Sequence, residues 1–162
     1  MVMKYLRSVV CVLIALFSAT MFVGCDSSIF YDEHQTIDQP WCIDEKVDFN
    51  VTVEQDDLPH IYNFYIDMRN SKDYPYSNAF LFIKTVFPDG GVAQDTMECP
   101  LSAPTGEWYG KESASYVDNR FYLRKNIVFP QTGVYKFEVW HGLRDSNVVG
   151  IESVGLRIEE IR

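Results

Sequence analysis

The chain has 162 residues, with 14 Lys and Arg against 23 Asp and Glu and a formal net charge of −9 at pH 7. Such an acidic surface repels a phosphate backbone, so nucleic-acid binding is excluded as an expectation. The length allows one domain of ordinary size with a real core.

Lys4 and Arg7 precede an uncharged apolar run from Val9 to Val23. A membrane-spanning helix needs about 20 predominantly apolar residues, and this run is shorter, with no basic cluster after it. A basic start, an apolar middle and a small-residue end form the layout of a secretory signal peptide. Phe22-Val23-Gly24-Cys25 resembles a bacterial lipobox, in which the cysteine thiol takes a diacylglycerol before the leader is cut off. Gly24 is small enough for the position before that cysteine. The expectation is a leader over 1–24 and a lipid on Cys25. An uncleaved spanning anchor and a buried helix are the alternatives. The leader carries two of the 14 basic residues and no acidic one, which leaves 12 basic against 23 acidic residues, net −11. Acyl chains hold such a domain strongly, at about 0.8 kcal/mol per buried CH2.

Residues 25–43 begin "CDSSIFYDEHQTIDQPW" and read as a polar tether that ends by docking Ile37 or Trp41 on the domain. Simple disorder as far as Asp44 is the alternative. From 44 to 162 the pattern is that of a β domain. Val47, Phe49, Val51 and Val53 alternate with polar residues, which predicts a half-buried strand. "IYNFYIDMR" places Tyr62, Phe64, Ile66 and Met68 on one face. "AFLFIKTVF" is apolar on both faces, which predicts a central strand covered on both sides. The turn "PDGG" leads to the hairpin partner "VAQDTMEC". Residues 101–120 read as a long loop with a short irregular piece around Trp108. "FYLRKNIVF", "VYKFEVW" and "VGLRIEEI" are three further strands, the last with Val154, Leu156 and Ile158 on one face. About seven strands and no long helical period predict an all-β, antiparallel β-sandwich. Spacing leaves immunoglobulin-like and jelly-roll topologies both open.

With Cys11 in the leader and Cys25 lipidated, Cys42 and Cys99 remain. An exported chain permits a disulfide between them; two buried free thiols are the alternative. His34, His60 and His141 lack ligand spacing, so no metal is expected, nor any cofactor. No Gly-x-Ser-x-Gly, His-Glu-x-x-His or phosphate loop is present, and no enzyme is expected.

Five blocks in series, "RNSKDYPYSNAFLFIKTVFPDG", "DT", "GEWYGK", "VFPQTGVYKFEVWHGLR" and "GIESVGLRIE", resemble the gliding-motility lipoprotein family called GldH. The resemblance runs from the lipobox to the C-terminus and includes Trp41 and Val47-Asp48-Phe49. It implies a membrane-anchored envelope lipoprotein, outer membrane preferred over inner, that meets protein components of motility or envelope machinery. It implies no known catalytic activity and supplies no active residue.

The most distinctive surface stretch is Asp73-Tyr74-Pro75-Tyr76-Ser77-Asn78. Pro75 keeps Tyr74 out of the helical region and stiffens the loop. Two tyrosines on a stiff loop offer contact area at low entropic cost, which makes Tyr74, Pro75, Tyr76 and Asn78 candidates for partner contact. Alternatively Asp73 and Asn78 satisfy loop backbone while one tyrosine plugs the core. Arg69 and Arg157 are expected to pair with Asp67, Glu159 or a backbone carbonyl. Trp41, Trp108 and Trp140 raise a glycan-binding alternative, with Trp108 its best candidate beside Gly106 and Gly110.

Overall fold

The computed structural model describes residues 28–161; the expected leader and Cys25 lie outside the described residues. All seven expected strands are present. They are β3 (Val47–Val53), β4 (Ile61–Ser71), β5 (Asn78–Val86), β6 (Val92–Pro100), β8 (Tyr116–Ile127), β9 (Gly133–His141) and β11 (Ile151–Ile161). An eighth long strand, β1 (Ile29–Thr36), lies within the segment read as a tether. It pairs antiparallel with β11, His34 opposite Gly155. Alternation there is masked because β1 is an edge strand with mostly exposed residues. Ile37 and Trp41, the expected docking residues, are both buried. Three two-residue strands complete the set: β2 (Trp41–Cys42), β7 (Lys111–Glu112) and β10 (Asn147–Val148).

One sheet runs β1-β11-β4-β8-β7 and the other β3-β9-β5-β6, while β2 and β10 form a separate ribbon. Counting only the eight long strands in chain order, the sheets read 1-8-3-6 and 2-7-4-5. That interleaving is the jelly roll, and it resolves the topology that spacing left open. Alternating residues of both sheets meet between them, including Phe49, Ile66, Leu81, Val139 and Leu156. Phe30, Tyr62, Phe64, Phe129 and Tyr135 pack ring on ring toward one end, with centroids 4.9 to 5.7 Å apart.

Two expectations are corrected. β5 is not covered on both sides: Ala79, Leu81 and Ile83 enter the core, while Phe82 faces out, 47% exposed. An antiparallel sandwich sheet has one wet face, and no described element is layered over this one. The loop expected as far as residue 120 ends earlier, because β8 begins at Tyr116. Its polar start hid it. Asp118, Asn119 and Arg120 each find a partner on β4, namely Arg69, Asn70 and Asp67.

Candidate functional site

Every loop of the sandwich falls at one of two ends. The end that carries residues 72–77 and 142–150 holds the stretch singled out from the sequence. Its two tyrosines part company there. Tyr74 is 4% exposed and its hydroxyl donates to the Asn78 carbonyl at 3.2 Å. Burial pushes its phenol well above the ordinary range. Tyr76 is 39% exposed and its hydroxyl donates to Asp145. The rings meet edge to face, 5.5 Å between centroids at 75°. Tyr74 is therefore the core plug, and it holds Tyr76 in place.

Tyr76, Asn78, Phe80, Leu143 and Asp145 line a cleft of ≈ 530 Å³. Gly142 lets it form: a Cβ there would lie 2.9 Å from the Phe82 ring, and its N–H donates to the Phe80 carbonyl at 2.6 Å. Phe82 stands opposite Trp140 in the ladder. The cleft thus continues along the outer face of the four-stranded sheet as an aromatic strip. Beyond the strip Glu138 accepts from Lys46, from Lys84 at 2.9 Å and from Lys136 at 3.1 Å. Those three ammonium groups hold its carboxyl at about 2, below the ordinary 4.5.

The outer face of the five-stranded sheet is built differently. His34, Gly155, Asp67 and Arg120 lie in one row across four strands. Arg120 forks onto Asp67 with two bonds of 2.7 Å, the bidentate geometry that makes such pairs strong. His34 Nε2 donates to Asp67 at 3.2 Å, and its ring lies across Gly155, where a Cβ would come within 2.4 Å. Arg157 bridges Glu159 at 2.6 Å and Asp32 at 2.5 Å. The expected Arg157–Glu159 pair is present; Arg69 takes Asp118, not Asp67. Sequence spacing missed that Asp32, His34 and Asp67 come together, their ligand atoms within 4.8 Å. Both carboxylates are engaged by arginines, so a cation would have to displace guanidinium groups to bind.

The remaining candidates are placed plainly. Cys42 and Cys99 are free thiols, so the candidate bridge is not formed. Cys99 is in the core opposite Ala79, with its thiol pushed to about 12 by burial; Cys42 sits in the β2–β10 ribbon. Trp41 is a core residue, and Trp108 packs against the core beside an isolated bridge to Ser102. Pro75 is exposed. Asp145, Leu143 and Phe80 were missed from the sequence. The signal that could have found the phenylalanine was the strand apolar on both faces.

A family model described as GldH lipoprotein matches residues 29–158. The chain is 33% identical over 162 residues to the gliding motility lipoprotein GldH homolog of Christiangramia forsetii, covering 96% of this chain and 98% of that one. It is 28% identical over 154 residues to the gliding motility lipoprotein GldH of Flavobacterium johnsoniae, covering 91% and 94%. Among solved structures, dimeric latent PorU from Porphyromonas gingivalis aligns with a TM-score of 0.37 at 9% identity, over 85% of this chain and 14% of that one.

Proposed function

The chain belongs to the GldH lipoprotein family, and from that premise we propose that it acts without catalysis, by protein contact in motility or envelope machinery. The observation that carries the reading is the apolar surface in which Tyr76, Phe80 and the aliphatic Leu143 line the cleft and Phe82 continues it along the outer face of the four-stranded sheet. Exposed aromatic surface beside a polar rim is the composition of a protein interface. The charged face of the other sheet is internally paired and offers less to a partner. Ring stacking on sugars is poorly served: Trp41 packs in the core and Trp108 against it, which leaves the half-buried Trp140 as the one tryptophan on the outer strip. In this reading a lipid on Cys25 holds the protein to the outer membrane, and membrane fractionation of a Cys25→Ser variant tests that attachment.

The contact is tested in cells with a photo-crosslinking residue at Phe82 or, as the control, at Tyr122 on the opposite sheet. A discrete cross-linked species from position 82 and none from 122 supports the reading. It should disappear when Leu143→Ser is added at unchanged protein level. Equal cross-linking from both faces would overturn it.

A further inference from the structure

We infer that the domain stands end-on at the membrane, with the end formed by Ile29, Ile61, Val128 and Ile161 seated against a zwitterionic lipid surface and the Tyr76 cleft held away from it. The inference rests on lipidation of Cys25 and concerns what that anchor does to the domain.

Chain length carries the argument. A tether over 25–43 would have let the domain tumble freely. The sheet instead begins at Ile29, and Ser28 already accepts a bond from the Glu160 backbone N–H at 2.7 Å. Three residues separate Cys25 from Ile29, and the four steps between them span at most about 14 Å. The lipid-bearing residue therefore lies close to one end of the sandwich.

The elements at that end follow from register. Ile29 is opposite Glu159, Ile61 is opposite Ile161, and Tyr62 is opposite Ile127. The start of β1, the end of β11, the start of β4 and the end of β8 thus share it. These strands bring Ile29, Ile61, Val128 and Ile161 to the rim, 37% to 50% exposed. All four are aliphatic and none is aromatic, whereas the opposite end exposes Tyr76, Tyr109 and Tyr116 together with Ile43 and Val149. Glu54, Asp56 and Asp89 are exposed at this end and outnumber the exposed Lys125 near the end of β8. They oppose contact with anionic headgroups, which is why the lipid partner is zwitterionic. β4 has 11 residues, so the opposite end stands about 35 Å further out.

The test uses the acylated lipoprotein with Cys42→Ser, reconstituted in phosphatidylcholine vesicles that contain a doxyl-labelled lipid. A fluorescent label is placed at Val128→Cys or Ile61→Cys, and at Tyr109→Cys or Val149→Cys. Labels at 128 and 61 should be quenched several-fold more than those at 109 and 149. An anionic lipid added at low salt should weaken the difference. Equal or reversed quenching in protein shown by mass to carry its acyl chains would overturn the end-on seat. Protein with no acyl group on Cys25 would instead remove the anchor on which the seat depends, and the mass measurement separates these two failures.

Discussion

On the outward face of the five-stranded sheet, Asp67, Arg120, Asp32 and Arg157 are held by one another. On the outward face of the four-stranded sheet, Phe82 stands half in water at the edge of a cleft. The first face consumes its own charges and exposes Tyr122 singly; the second leaves apolar area uncovered beside a cleft. The difference shows why ion pairs seen in a structure are a poor guide to binding. A charge that already has its partner must lose it before it can engage another, while an exposed ring gains by being covered.

The same contrast is drawn within a single loop, and it yields the largest expected effect. Tyr74→Ala should destabilise the fold by about 3 kcal/mol or more, as truncation of a buried aromatic does. Tyr76→Ala should stay within about 0.5 kcal/mol. Urea denaturation of the two variants checks this, and equal losses would erase the distinction between plug and contact.

Next comes the charged face. Asp67→Asn should cost about 2 kcal/mol, because it leaves Arg120 and His34 without their carboxylate. A double-mutant cycle with Arg120→Gln should return a coupling above about 1 kcal/mol. Additive losses would mean that the pair is only a surface contact.

Acid titration separates the other sheet. The Glu138 carboxyl is depressed to about 2, so its stabilising effect is complete above pH 4.5 and is lost as pH falls from there toward 2. Glu138→Gln should cost about 1 kcal/mol at neutral pH, since its lysines can still reach water, and should flatten stability in that acidic window. His141 acts in a different window. Burial beside Trp41 depresses it below the ordinary 6.5. The unfolded chain therefore takes up a proton first, and stability should fall as pH drops below 6.5. His141→Leu should reduce that slope in melts recorded between pH 5 and 7.

A small effect is also expected at Gly155→Ala. The new methyl group meets the His34 ring, but that ring is largely exposed and can swing aside. The cost should be below about 1 kcal/mol, with the His34 imidazole signals in NMR moving as its bond to Asp67 breaks. An unmoved His34 would show that the row across four strands is not a unit.

Much of this was legible in the chain. Val47, Phe49, Val51 and Val53 face inward as their alternation requires, and so do Val154, Leu156 and Ile158. β1 was not legible, since an edge strand in water need not alternate. The start of β8 was hidden for a related reason. Asp118, Asn119 and Arg120 look like loop until their partners on β4, about 50 residues earlier, are brought opposite them. The candidate site was half visible. The Tyr-Pro-Tyr loop stood out, but Asp145 and Leu143 reach it only because β9 ends beside β5.

Seven of the eight long strands follow from local residues alone, and so does the inward side of those that alternate, because side chains alternate across a strand whatever it pairs with. The sequence by itself also carried the blocks by which the chain resembles its family. The tertiary structure alone decided the 1-8-3-6 and 2-7-4-5 order, the burial of Tyr74 beside the exposure of Tyr76, and the open face of Phe82. Each of these depends on which distant strand lies alongside. Periodicity is a property of a few neighbouring residues, whereas register between strands far apart in the chain is set only when the two sheets close over a shared core.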